Sequence, residues 1–247
     1  MARITVLSLN INAGFDLSRR RFLLPALRDA IHDVGADVVL LQEVLGAHAG
    51  HARRHPQWPE EAQHAYLAGT LWPHHAYGRN ANLAEGHQGN AVLSRFAIAS
   101  HGNHDVSIAG HEARGLLHAV IELPDDSTPL HVVNVHLGLR EAHRQRQVSQ
   151  LAEFIAHDIP PAAPLVVAGD FNDWRARAHP LLRAAGLREA FEDAQGRPAL
   201  TFPALFPVFP LDRMYLRHVN ALASSVLRTQ PWSGLSDHAG LRVELET

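Results

Sequence analysis

The 247-residue chain contains no cysteine. That excludes a disulfide framework, a thiolate metal site and a cysteine nucleophile, and it leaves oxygen and imidazole to hold any metal. Also missing is an apolar run of roughly 18 residues, the length that a membrane-spanning helix needs. Met1-Ala2-Arg3 leads directly into Ile4-Thr5-Val6-Leu7, without the charged region, long apolar stretch and small-residue cleavage site of a secretory leader. A soluble, cytoplasmic protein is expected. No large charge of either sign is present: the formal net charge is −3, which argues against the broad basic footprint of a sequence-independent DNA binder but leaves room for nucleic acid in a local groove. Repeats, low-complexity tracts and linker-like runs are absent, and the length suits one large core, so a single domain over residues 1–247 is expected.

What is there concentrates in short motifs. The apolar run Pro164-Leu165-Val166-Val167 reads as a buried strand, and Ala168-Gly169-Asp170-Phe171-Asn172-Asp173-Trp174 follows it directly. Gly169 allows a tight turn, so that Asp170 and Asn172 project from the strand end, where sheet proteins place their chemistry. Ser236-Asp237-His238 sets an acid beside an imidazole near the C-terminus, and Glu43 and His136 close two further apolar runs. Together these clusters point to a hydrolytic centre built from strand ends.

Strand-like runs recur over 4–9, 36–41, 90–93, 116–123, 130–136, 165–168, 212–216 and 241–245. Between them, Leu24, Leu27, Ile31 and Val34 repeat at helical spacing after Arg21. Val148, Leu151 and Ile155 do so after Leu139, with Glu141, Arg144, Arg146 and Gln150 on the wet side and Pro160-Pro161 as the stop. So many strands interspersed with helices favour an α/β architecture of two packed sheets with helices outside.

Seven segments, in order, resemble the signatures of the endonuclease/exonuclease/phosphatase superfamily: Leu9-Asn10, Gln42-Glu43, Gly89 to Ser94, Asn134 to Leu137, Gly169 to Asn172, Leu211 to Arg213, and Ser236 to His238. The resemblance covers nearly the whole chain. It implies a four-layered α/β sandwich of two mixed β-sheets flanked by helices, and phosphoester cleavage with a divalent metal. More narrowly, Gly138 to Gln145 and Asp170 to Trp174 resemble a bacterial branch whose genes often lie beside a cardiolipin synthase.

Phosphodiester hydrolysis needs a hard cation, a base and donors for the developing phosphorane charge. Glu43 and Asn10, with Asp237 as a further ligand, suit Mg²⁺ or Mn²⁺. The resemblance assigns the base to Asp170 or to His238 paired with Asp212, Asp212 holding the imidazole in one tautomer. Asn172, His136 and Arg114 are candidate donors to the phosphate, and Asn90 is placed to orient His136. Singly, each has a plainer reading: Asp170 and Asn172 as turn formers, Asn10 as a loop cap, Glu43 as a helix-start acid, His136 as a core histidine, Arg114 as an edge residue and Asp237-His238 as a surface turn. Asn12 stands where some relatives carry Asp, and loop shaping is its alternative role.

Other features bear on substrate. The 19 histidines include His48, His51 and His55 at helical spacing, but Gly46, Gly50 and Pro56 oppose a helix and no His-Glu-x-x-His occurs, so structural zinc is not expected. The stretch from Gly46 to Trp72 reads as a long functional loop beside the active-site mouth. Thr201 to Pro210 packs three Phe and three Pro ahead of Asp212, which prevents a central strand. Its plain expectation is a loop folded onto the core; if Phe202-Leu211 is exposed, it suits peripheral contact with a lipid surface. The Arg19-Arg20-Arg21 and Arg140, Arg144, Arg146 clusters read as solvated faces. The leading expectation is thus a metal-dependent phosphodiesterase with a phospholipid-related substrate. A nuclease and a catalytically inactive binding module are the alternatives.

Overall fold

A computed structural model describes residues 2–124 and 128–247. Among the described residues twelve strands form two six-stranded mixed sheets. The first contains β1 (Arg3–Asn10), β2 (Val38–His48), β3 (His74–Leu83), β4 (Gly86–Ser94), β11 (Asn220–Leu227) and β12 (Gly240–Glu246), in the order β11-β12-β1-β2-β4-β3. The second runs β5-β6-β7-β8-β10-β9, from β5 (Ile98–Asp105), β6 (Gly115–Ile121), β7 (Leu130–His136), β8 (Leu165–Asp170), β9 (Arg188–Glu189) and β10 (Asp212–Arg217). Helices α1 (Leu24–Val34), α2 (Ala49–Arg54), α3 (Gln63–Ala68), α4 (Glu141–Asp158), α5 (His179–Ala184) and α6 (Ala190–Gln195) complete the chain.

Alternation along the central strands explains the layers. Val6, Leu40, Val132, Val166 and Met214 face inward and form the core between the sheets. Their neighbours Leu7 and Leu41 pack outward with Leu27 and Ile31 of α1, while Val133 and Val167 pack with Val148, Leu151 and Ile155 of α4. Strands covered on both faces read as continuous apolar runs, as these do. The result is the four-layered sandwich expected.

Each sheet contains one parallel pair. β1 and β2 are joined through α1, and β7 and β8 through α4, with Asn10 in register with Gln42 and His136 with Asp170. Parallel pairing brings the C-terminal ends of both strands to one edge, so four of the residues singled out above arrive at the same end of the sandwich. Asn134 fastens the sheets there: its Nδ2 donates to Leu41 O (2.9 Å) and Ala91 O (2.8 Å), and its Oδ1 accepts from Gln42 Nε2 (2.8 Å).

The stretch after Gly46 is not one long loop. β2 runs on to His48, and α2 and α3 follow. α2 forms despite Gly50, with the His48 imidazole accepting from His51 N–H as a cap. His51 and Trp58 pack their rings on Phe15, so this segment walls the loop that follows β1.

Candidate active site

The site is built from strand ends whose backbone is locally unusual. β2 bulges between Leu41 and Val44, and Glu43 sits in the bulge at φ 55°. A bulge re-aims a side chain, and here Glu43 is turned out of the sheet toward the mouth. Gly169 adopts φ 143°, and a Cβ there would lie 2.0 Å from Val135 O; only glycine lets β8 press on β7 just before Asp170. Asn172 follows at φ 50°. Left-handed conformations at non-glycine residues cost about 1–3 kcal/mol each and cluster at functional sites.

Asp170 is buried and held at both oxygens. Oδ1 accepts from the Asn172 backbone N–H at 2.8 Å, and Oδ2 accepts from Asn10 Nδ2 at 3.1 Å. Two imidazoles face that second oxygen: His136 Nε2 at 3.6 Å and His238 Nε2 at 3.8 Å. The other nitrogen of His238, Nδ1, lies 2.8 Å from Asp212 Oδ2, so Asp212 fixes the tautomer of the ring. Ser236 Oγ donates to Asn10 O at 2.7 Å and accepts from His238 N–H at 3.3 Å, tying the last loop to β1.

Charge follows this geometry. Burial opposes a proton on His238, but Asp212 and Asp170 outweigh it and push the pKa up to about 10. Burial raises Asp170 to about 7, with His238 opposing and Asp212 adding to the rise. His238 at neutral pH is therefore an imidazolium, a donor, while Asp170 is poised to accept a proton. His136 is held neutral by burial, by Arg114 and by His238.

Glu43 and Asp237 form the acidic mouth. Asp237 is raised by burial, against His238, and further by the charge of Glu43. Two carboxylates that feel each other's charge and offer only oxygen donors, with Glu43 alone paired to the exposed Arg19, fit a hard divalent cation. Asn10 turns its amine toward Glu43 (3.3 Å) and Asp170, while its Oδ1 accepts from Asn12 N–H (3.0 Å); in this arrangement it positions the two acids as a donor. A second group, Asp170, Asp212 and His238, brings its ligand atoms within 4.8 Å of one another, and it is the one such carboxylate–imidazole group among the described residues. The 2.8 Å hydrogen bond already pairs two of its members. His48, His51 and His55 form no such group.

Several sequence expectations change here. Asn90 does not bond His136; its Nδ2 donates to Gly115 O and Asn134 O, though Asn90 shares a small cavity with His136, Arg114 and Glu43. Arg114 is anchored by Leu137 O and Ala113 O beside the acids. Asn12 shapes the loop, donating to Phe15 O and Asp16 O. Arg19 is exposed, as a solvated face requires, yet it reaches the site: its Nε donates to Asn12 Oδ1 at 3.0 Å and its Nη2 pairs with Glu43 Oε2 at 3.1 Å. Arg144, by contrast, is buried, bonding Gly138 O at 3.1 Å and Glu141 at 2.7 Å. The Phe-rich segment is not folded onto the core. Thr201 and Ala204 are buried and Phe202 rests against the His238 ring (5.0 Å), whereas Leu205 (68 %), Phe206 (77 %) and Phe209 (39 %) are exposed. Gln42, Asn134, Ser236 and Arg19 were not assigned roles from sequence. The first three lie inside the recognised motifs, and that adjacency was the available signal.

The Endonuclease/Exonuclease/phosphatase family model matches residues 7–238, and the chain belongs to that family of metal-dependent phosphoester hydrolases. It is 51 % identical over 241 residues, 97 % of this chain and 95 % of the relative, to uncharacterised protein YbhP of Escherichia coli strain K12. A Shigella flexneri protein of the same name matches equally. Among solved structures, an endonuclease/exonuclease/phosphatase from Beutenbergia cavernae superimposes with TM-score 0.79 at 18 % identity, over 100 % of this chain and 72 % of that one. D. rerio TDP2 complexed with single-strand DNA product does so with TM-score 0.71 at 16 % identity, over 100 % of both.

Proposed function

We propose that the chain, folded as one domain over residues 1–247, is a Mg²⁺- or Mn²⁺-dependent phosphodiesterase acting on a phospholipid-related ester. The observation that carries the catalytic part is Asp170, gripped at both oxygens and faced by one charged and one neutral imidazole, beside the carboxylates of Glu43 and Asp237. Glu43 and Asp237 would hold the cation, which would supply charge neutralisation for the phosphoryl oxygens. Asp170 takes the proton of the attacking water. His238, fixed by Asp212, presents its Nε2–H to the developing charge, and His136, Arg114 and Asn172 are donors around the same oxygens. A catalytically inactive binding module has no physical need for this full set.

The lipid part rests on the exposed apolar tip beside His238. Leu205, Phe206, Val208 and Phe209, with Trp174 edge-on to Phe209 at 5.7 Å, make an apolar rim on that side of the site. No helix among the described residues is long and apolar enough to cross a membrane, so contact would be peripheral, by an apolar tip in the headgroup region. A nuclease is the second reading, favoured by the DNA-bound fold neighbour and opposed by the net charge of −3. The test is hydrolysis, with added Mg²⁺ or Mn²⁺, of an aryl phosphodiester, phospholipid vesicles, DNA and RNA. Turnover of the diester and the vesicles is expected; turnover of nucleic acid alone would transfer the assignment to the nuclease.

A further inference from the structure

A cavity of about 390 Å³ opens beside the acidic mouth, and the centre described above leaves it without a role. Its lining includes Leu17 and Arg21 on one side, Ala204 and Leu205 on the other, and Ser236 and Asp237 at its inner end. Two loops therefore wall it, the first fastened to the Glu43 carboxylate and the second to the backbone carbonyl of Asp237. The first loop reaches Glu43 through the Arg19 guanidinium (3.1 Å). It is braced by Asp16, which accepts from the Arg20 and Arg21 backbone N–H groups. The second reaches Asp237 through the Ala204 N–H, which donates to Asp237 O at 2.8 Å. The cavity lining includes Asp237, so a group lodged between Leu17 and Leu205 lies beside one of the two acids that would hold the cation.

We propose that this cavity receives an aliphatic chain carried on the substrate's phosphate. This inference rests on the phosphoester reading and adds the site for the apolar arm. Leu17 is 49 % and Leu205 68 % exposed, so an alkyl occupant removes apolar surface from water on both sides. A polynucleotide fits poorly. No aromatic side chain lines the cavity to stack a base.

The test uses n-alkylphosphonates, which carry the anion and a chain but no scissile ester. Binding of methyl-, butyl- and octylphosphonate to the full chain is measured by calorimetry with Mg²⁺ present. Affinity is expected to rise with chain length, by up to about fourfold for each methylene that becomes buried, and to level off when the cavity is full. The double variant Leu17→Ser, Leu205→Ser should flatten that slope while keeping methylphosphonate affinity and melting temperature. Leu222→Ser, at an exposed leucine on β11, should keep the slope. A flat series in the wild type, or a slope untouched by the double variant, overturns the cavity assignment. Aryl phosphodiester hydrolysis in the same buffer reads the underlying function separately: a flat series from an active enzyme rejects the cavity alone, whereas a sloped series without metal-dependent hydrolysis supports the cavity and rejects the phosphoesterase.

Discussion

Nδ1 of His238 lies 2.8 Å from Asp212 Oδ2 while its Nε2 faces Asp170 Oδ2 at 3.8 Å, so one buried imidazole spans two carboxylates from different strands. Both acids favour the charged ring, and the ring in turn favours a charged Asp170 against its burial. Asp170→Asn removes the proton acceptor and His238→Ala removes the donor. Each should lower kcat by ~10²- to 10⁴-fold, the usual range for a proton-transfer group. Circular dichroism should show the fold retained, because neither residue belongs to an apolar core cluster. Near-wild-type turnover in either folded variant would move the chemistry elsewhere.

Arg19 occupies Glu43 in this structure, at 3.1 Å. A guanidinium and a divalent cation compete for the same carboxylate, and exposed ion pairs contribute about 0.2–1 kcal/mol. Arg19→Ala should therefore tighten Mn²⁺ binding by roughly 1.5- to 5-fold in calorimetry. Weaker binding would show that Arg19 helps to build the cation site.

The exposed tip offers a separate check. Phe206→Ser with Phe209→Ser should reduce hydrolysis of a lipid in vesicles and spare a small soluble aryl phosphodiester. Truncating a buried Phe costs ~3–5 kcal/mol. Exposure at Phe206 (77 %) therefore predicts an unchanged melting temperature. Steep loss of activity with salt, with no effect of these variants, would favour the nuclease.

Stability should depend on pH through histidines far from the site. Burial, with His131 and His104 adding, pulls His118 down to about 4; it stacks on His131, their nearest ring nitrogens 3.0 Å apart. The unfolded chain keeps the ordinary value of 6.5 and so binds the proton first as pH falls. The contribution of His118 is fully present above pH 6.5 and is lost progressively toward pH 4. A melting temperature that declines over that window, with a shallower decline in His118→Gln, is the expected result. An identical profile in the variant would assign the decline to other groups.

The eight strands legible in the sequence are the central ones, most of them apolar runs buried on both faces, with β12 read from its alternating Leu241, Val243 and Leu245. The four that escaped, β3, β5, β9 and β11, are the sheet edges. Edge strands expose one side and use polar residues, as in His74-His75-Ala76-Tyr77 and Ile98-Ala99-Ser100-His101, so no apolar run announces them. The site shows the same division. Asp170, His238 and Glu43 stand in compact motifs at strand ends and were legible there. Arg19 reaches Glu43 from 24 residues away through a loop at φ 56°, and no local pattern encodes that pairing. Asn90 illustrates the converse, a residue in the right motif whose hydrogen bonds go to the backbone of two other strands.

The most direct measurement is the rate of aryl phosphodiester hydrolysis in Mg²⁺, then in excess EDTA, then after Mg²⁺ is restored. The Glu43–Asp237 pair is made of hard oxygen donors without a thiolate in the chain. The account predicts a rate that falls to background on chelation and returns with the metal. Full turnover in excess EDTA would contradict it.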